Sequence, residues 1–184
     1  MKEEKIIRVM AIMLAILKKV KLPAKGQVEE DFQKRFEDVL NEIKMEYLPK
    51  VHTNALFSND EGEKQDEWEI DIVLTNKDVY IPIELKFRHG DQNISGYDKL
   101  YEWDIRRISG IVDTYKDVPF GYAIFVTDNA DLIKNIKKFC DNWFDLKDDY
   151  KACIFMHHNN KSTSKIPFAI DYIISGLEKK IKKD

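Results

Sequence analysis

Glycine, proline and cysteine are scarce in this 184-residue chain, at seven, five and two residues. So few turn-formers exclude a collagen-like or low-complexity chain, and two cysteines exclude a small scaffold stapled by disulfides. Cys140 and Cys153 sit in apolar patterns without metal-ligand spacing. They read as reduced, buried thiols of a cytoplasmic protein. No apolar run reaches the roughly 20 residues that a bilayer-spanning helix needs. The run over residues 6–17 is interrupted by Arg8 and lacks a small-residue cleavage site, so neither a membrane span nor a secretory signal is expected. A Gly-rich phosphate loop, an internal repeat and any Ser-His-Asp or Cys-His arrangement are also missing. Positive charge is not in excess: 30 basic against 33 acidic residues leave a net charge of -3, so attraction to nucleic acid requires a local basic patch.

What is present is enough apolar material, 43% of residues, for a single globular domain with one compact core. The most informative stretch is residues 67–88, EWEIDIVLTNKDVYIPIELKFR. Two runs of alternating apolar and polar residues flank the turn-like Thr75-Asn76-Lys77-Asp78, the pattern of a β-hairpin. Trp68, Ile70, Ile72 and Leu74 are expected on one face of the first strand, with Glu69 and Asp71 opposite. In the second, Ile81, Ile83, Leu85 and Phe87 share a face and Glu84 and Lys86 share the other, because strand side chains alternate with period two. Asp71, Glu84 and Lys86 therefore converge on one polar face. Two carboxylates there form a hard-oxygen site suited to Mg²⁺, and a nearby lysine is expected to help hold and deprotonate an attacking water and to offset developing negative charge. The triplet acid-x-Lys alone carries little, since it occurs six times. The Glu84 copy is the one embedded in a strand that follows another strand with an inward Asp. The competing reading is a hairpin with one solvated face and ordinary surface charges.

Ile70-Asp71, twelve intervening residues and Glu84-Leu85-Lys86 resemble the signature of the PD-(D/E)xK nuclease superfamily, the restriction-endonuclease-like fold. The resemblance implies metal binding by Asp71, Glu84 and the backbone carbonyl of Leu85, with Lys86 serving the water. It also implies an α/β fold: a mixed sheet flanked by helices, with an α-β-β-β-α-β core over about residues 28–127. Ile70 stands where the superfamily's name records proline. Pro82, inside a strand, predicts a bulge or local irregularity.

Around this hairpin the periodicity predicts a helix over residues 3–20, apolar nearly all round. Such a helix is buried in the domain core or forms a homodimer surface. A second helix is expected over residues 28–47, with Phe32, Phe36, Val39, Leu40 and Ile43 as its stripe. Glu29 borders that stripe, while Glu30 and Glu37 are read as pointing away. Glu29 is either a first-turn acid favoured by the helix dipole or, as the resemblance implies, a third metal-site acid. Residues 51–57 predict a strand and residues 95–115 a helix. On that helix Asp104 falls in the middle of the apolar face, so it needs a partner or a site. Arg107 is one partner within reach; Arg88, Arg106 and Arg107 are the candidate phosphate contacts. Further strands are predicted at 120–127, 152–156 and 168–174, a helix at 130–143, and a loop at His157-His158.

These readings converge on a Mg²⁺-dependent nuclease, with Mn²⁺ able to substitute, acting on nucleic acid and on DNA in preference to RNA. The alternative is a catalytically silent domain of the same fold that binds nucleic acid or assembles with protein.

Overall fold

The structure is a computed structural model that describes residues 3–20, 22, 29–42, 50–58, 67–76, 79–90, 95–138, 143–146, 149–158 and 161–163. Helices α1 (Glu3–Lys19) and α2 (Glu29–Glu42) precede strands β1 (Lys50–Ser58), β2 (Glu67–Asn76) and β3 (Val79–Arg88). Helix α3 (Tyr97–Thr114), β4 (Phe120–Thr127), α4 (Ala130–Ile136), β5 (Trp143–Asp145), β6 (Lys151–His158) and β7 (Lys161–Thr163) follow. The strands form one mixed sheet in the order β1-β2-β3-β4-β6-β5, with β7 also on β6. β3 and β4 run parallel and the other pairs antiparallel. The protein is thus α/β, with its sheet flanked by helices.

Both faces are covered, which explains why β4 is apolar without alternation and buried at every position. On one face Phe32, Phe36 and Leu40 of α2, Ala11, Met13, Leu14, Ile16 and Leu17 of α1 and Val20 just after it pack on Ile83, Leu85, Phe87 and Ile124. The apolar residues Ala11, Met13, Leu14, Ile16 and Leu17 of the first helix therefore lie in the chain's own core. On the other face Tyr101, Ile108, Ile111 and Val112 of α3 and Leu132 and Ile136 of α4 cover Val73, Ala123, Phe125 and Phe155. No described helix is long and apolar enough to cross a membrane.

The hairpin pairs Ile72 with Ile83 through to Asn76 with Val79 in unbroken register. The bulge expected at Pro82 is not there: Pro82 pairs with Val73, and the ladder to β4 begins one residue later, at Ile83. A ring without an N–H is tolerated where a ladder is only starting. Gly121 then allows close approach, since a Cβ there would lie 2.9 Å from both Pro82 Cγ and Ile108 Cγ2.

Other expectations are corrected. Trp68 and Ile70 belong to the α3-side cluster, not to the face of Ile72 and Leu74. β2 is no longer paired with β3 before Ile72, while β1 stays paired with it as far as Glu67. The helix after Asn129 ends at Ile136, and Trp143 starts β5. His157 and His158 lie in β6, not in a loop; His157 is buried, with Nε2 2.8 Å from Asp113 Oδ1. Cys153 is held in a disulfide, because apolar context does not distinguish a thiol from a half-cystine. This removes the argument from free thiols for a reducing compartment; Cys140 lies outside the described residues. So does the strand expected at 168–174.

Candidate metal centre between α2 and α3

The site forms where β2 and β3 part. Beyond the Ile72–Ile83 pair the backbone ladder stops, and the Asp71 carboxylate takes over: its Oδ2 accepts the Leu85 N–H at 2.7 Å. Period-two alternation puts Glu84 and Lys86 on the α3 side of β3 while Leu85 and Phe87 fill the α2-side core. Glu84 is only 2% exposed. Burial, followed by the charge of Asp71 and a hydrogen bond to it, pushes the Glu84 carboxyl up to about 9. The contact to Asp71 places the two acids side by side.

Helix α3 supplies the opposite wall. Arg107 Nη1 donates to Glu84 Oε1 at 2.6 Å and to the Glu69 carbonyl at 3.3 Å. Burial and the neighbouring Asp71 raise the Glu84 carboxyl although this guanidinium pulls the other way. Asp104, one turn before Ile108, is buried at 3% exposure with an Oδ2 that has no hydrogen-bond partner. Lys86 Nζ stands 3.6 Å from that oxygen, an ion-pair distance beyond hydrogen-bond reach. Burial raises the Asp104 carboxyl to about 6, against the charges of Lys86 and Arg107. Asp104 is therefore buried as its place on the helix predicts, and its closest cation is Lys86.

Helix α2 closes the third side. Glu29 Oε1 accepts from Lys86 Nζ at 2.9 Å, and its Oε2 accepts the Phe87 N–H at 3.2 Å. Burial raises its carboxyl while Lys86 pulls the other way. Burial likewise works against the charge of Lys86, but Asp104, Glu29 and Asp71 overcome it and hold the ammonium well above the usual lysine range.

Two groups were missed from sequence. Gln33 donates to the Asp71 carbonyl and to Glu37 Oε1, both at 3.1 Å, and so fastens α2 to β2. Glu37, read as pointing away, lies on this edge; burial raises its carboxyl, with Asp71 adding to the rise. The signal was available in the i, i+4, i+8 series Glu29, Gln33, Glu37, which follows one helix face. The phosphate-contact candidates divide. Arg107 enters the site, whereas Arg106 bonds Glu102 at 2.6 Å on the exposed face of α3. Arg88 lies 4.3 Å over the Tyr97 ring, a cation–π contact at the start of the same helix.

Glu29, Asp71, Glu84 and Asp104 thus face two cations, Lys86 and Arg107. Fully ionised, the cluster is short of two positive charges, and the carboxyls of Glu29, Glu84 and Asp104 are raised, by burial first in each case. One divalent ion supplies the same charge, and the donors are the hard oxygens that Mg²⁺ takes. Among the described residues no group of three or more His, Cys, Asp or Glu is arranged as a ready-made metal cage. An Mg²⁺ bound through one or two carboxylates and water does not require one.

Comparison with known proteins leaves this geometry to speak for itself: no family model, no curated protein and no solved structure matches the chain.

Proposed function

We propose that the chain is a metal-dependent nuclease that hydrolyses phosphodiester bonds in DNA, with Mg²⁺ or Mn²⁺ as cofactor. The observation that carries this reading is half-buried Asp71 set beside buried Glu84, whose carboxyl is raised to about 9. A silent structural site has no need to bring two carboxyl groups together in a place that penalises their charge. The order α2, β1, β2, β3, α3, β4, with β3 parallel to β4, supports a restriction-endonuclease-like core.

Asp71 and Glu84 would hold the ion, joined by the Leu85 carbonyl. Bound there, it would polarise a phosphoryl oxygen and lower the pKa of a bound water. The deprotonating role expected of Lys86 is withdrawn, because Asp104, Glu29 and Asp71 hold its ammonium charged; its part is to hold the water and offset the developing negative charge. Glu29 and Asp104 keep its Nζ on the acid side of the sheet. Arg107 would pass from Glu84 to the phosphate once the ion takes over Glu84.

A second reading is favoured by one observation: both cations are already engaged, Arg107 by Glu84 at 2.6 Å and Lys86 by Glu29 at 2.9 Å. A self-satisfied network of this kind suits a silent domain that binds nucleic acid or protein. Plasmid and single-stranded DNA incubated with Mg²⁺ or Mn²⁺, wild type beside Asp71→Ala, separates the two. Cleavage by the wild type that is lost in the variant supports the nuclease; no cleavage, or equal cleavage, defeats it.

A further inference from the structure

The helix that contributes Asp104 and Arg107 also carries an apolar surface that no described part of the chain covers. Trp103 is 65% exposed and Leu100, one turn before it, 48%. Trp68 and Trp143, by contrast, are packed against the α3-side core. Single exposed aliphatic residues are ordinary, but an indole that solvated beside a leucine at i-3 is a patch with a use. Three cations stand around it on the helix. Lys99 is exposed and makes no side-chain ion pair among the described residues, and Arg106, three residues after Trp103, has 68% of its side chain in solvent while pairing with Glu102 through one Nη. Arg107, four residues after Trp103, is its neighbour on the helix surface and reaches Glu84. A ligand seated on the indole is therefore one side chain from the acid pair. Lys99, Arg106 and Arg107 thus flank the indole on its own helix face, at the i-4, i+3 and i+4 positions, in a chain of net charge -3.

We propose that Trp103 is a stacking platform for an unpaired base of single-stranded DNA, with Leu100 flanking the base and Lys99 and Arg106 receiving the adjoining phosphates. The strand then leads past Arg107 toward Asp71 and Glu84. Every base has a π-face, so such a platform accepts any sequence, and flanking cations supply the salt-dependent part of binding. A paired base inside a duplex cannot reach the indole, which makes the single strand the fitting occupant. The proposal deepens the nuclease reading and rests on it for the direction of the strand.

The test is binding of a fluorescently labelled oligothymidylate to the full chain in EDTA, so that no cleavage intervenes. Wild type is compared with Trp103→Ala, Trp103→Phe and the double variant Lys99→Ala/Arg106→Ala. Loss of one stacked base is expected to weaken binding by roughly 5- to 150-fold in Trp103→Ala. Trp103→Phe should recover most of the loss, and the double variant should flatten the dependence of log K on log salt by up to about 1.4. Because Trp103 is exposed, the alanine variant should keep the wild-type melting temperature and its response to Mn²⁺. Equal affinity of wild type and Trp103→Ala overturns the platform. So does binding of RNA or duplex in place of the oligothymidylate, or a Trp103-dependent self-association with no oligonucleotide bound. Cleavage with normal affinity in Trp103→Ala defeats this inference and leaves the nuclease standing. Trp103-dependent binding with no metal response in the wild type does the reverse.

Discussion

Glu84 and Asp104 hold their protons more tightly in the folded chain than carboxyl groups ordinarily do, the first up to about 9 and the second to about 6. A raised carboxyl leaves stability intact below the ordinary carboxylate range and erodes it as pH rises toward the folded value. The metal-free protein should therefore lose stability from about pH 4 to 6 through Asp104 and on toward 9 through Glu84. Metal reverses this at the same atoms, since it binds the ionised form and expels the proton. The Mn²⁺-induced rise in melting temperature should grow between pH 6 and 9, and titration calorimetry in two buffers should show proton release at pH 7. A metal response that is flat with pH would mean that Glu84 is not a ligand.

Lys86 gives a second residue-scale prediction. Its ammonium lies between Glu29 and Asp104, so Lys86→Ala should abolish cleavage while keeping much of the metal-induced stabilisation. Loss of both together would place Lys86 in the fold or the metal site and not on the water. This part of the site was readable from sequence because period-two alternation puts every second residue of a strand on one face. The Gln33 and Glu37 contacts were harder to see. Both sit at the edge of a helical stripe, where a one-residue change of phase turns an inward group outward.

Among the elements, those with one strong period were legible: α2, α3, the β2–β3 hairpin and β4. Failures occurred where tertiary structure overrides local pattern. β2 changes its packing partner once its ladder to β3 ends, so Trp68 and Ile70 join α3. The apolar residues after Ile136 look helical until β6 offers an edge, and Trp143 then pairs with Cys153. Pro82 looked disruptive because the start of the parallel ladder is invisible in sequence. That junction is also tightly packed at Gly121. Gly121→Ala would drive a Cβ to 2.9 Å from Pro82 Cγ and Ile108 Cγ2 and 3.2 Å from the Pro82 carbonyl. The substitution should cost about 1–3 kcal/mol in urea unfolding, as overpacking does. Because β3 carries Glu84 and Lys86, weaker metal binding should accompany it; a change below about 0.5 kcal/mol would show that β3 and α3 yield easily.

Across the whole molecule, the sheet holds three elements around one excess of negative charge: α2 brings Glu29, the hairpin Asp71 and Glu84, and α3 Asp104. Unfolding separates these acids, so the repulsion is a property of the native state and a cation that relieves it stabilises that state alone. At a hundredfold excess over Kd the gain is about 2.7 kcal/mol, which for a chain of this size amounts to a rise of roughly 5–11 °C. Glu84→Gln, which keeps a hydrogen-bond acceptor for Arg107 but no charge, should abolish that rise while changing the metal-free melting temperature little. Asp71→Ala should abolish it too, but at some cost without metal, because the Leu85 N–H loses its acceptor. Trp103→Ala, outside the acid cluster, should melt and respond as the wild type does. Scanning calorimetry of the four proteins with and without Mn²⁺ gives the answer. If Glu84→Gln responds to the ion as strongly as the wild type, the cluster is a structural ion-pair network and the nuclease reading gives way to the binding module.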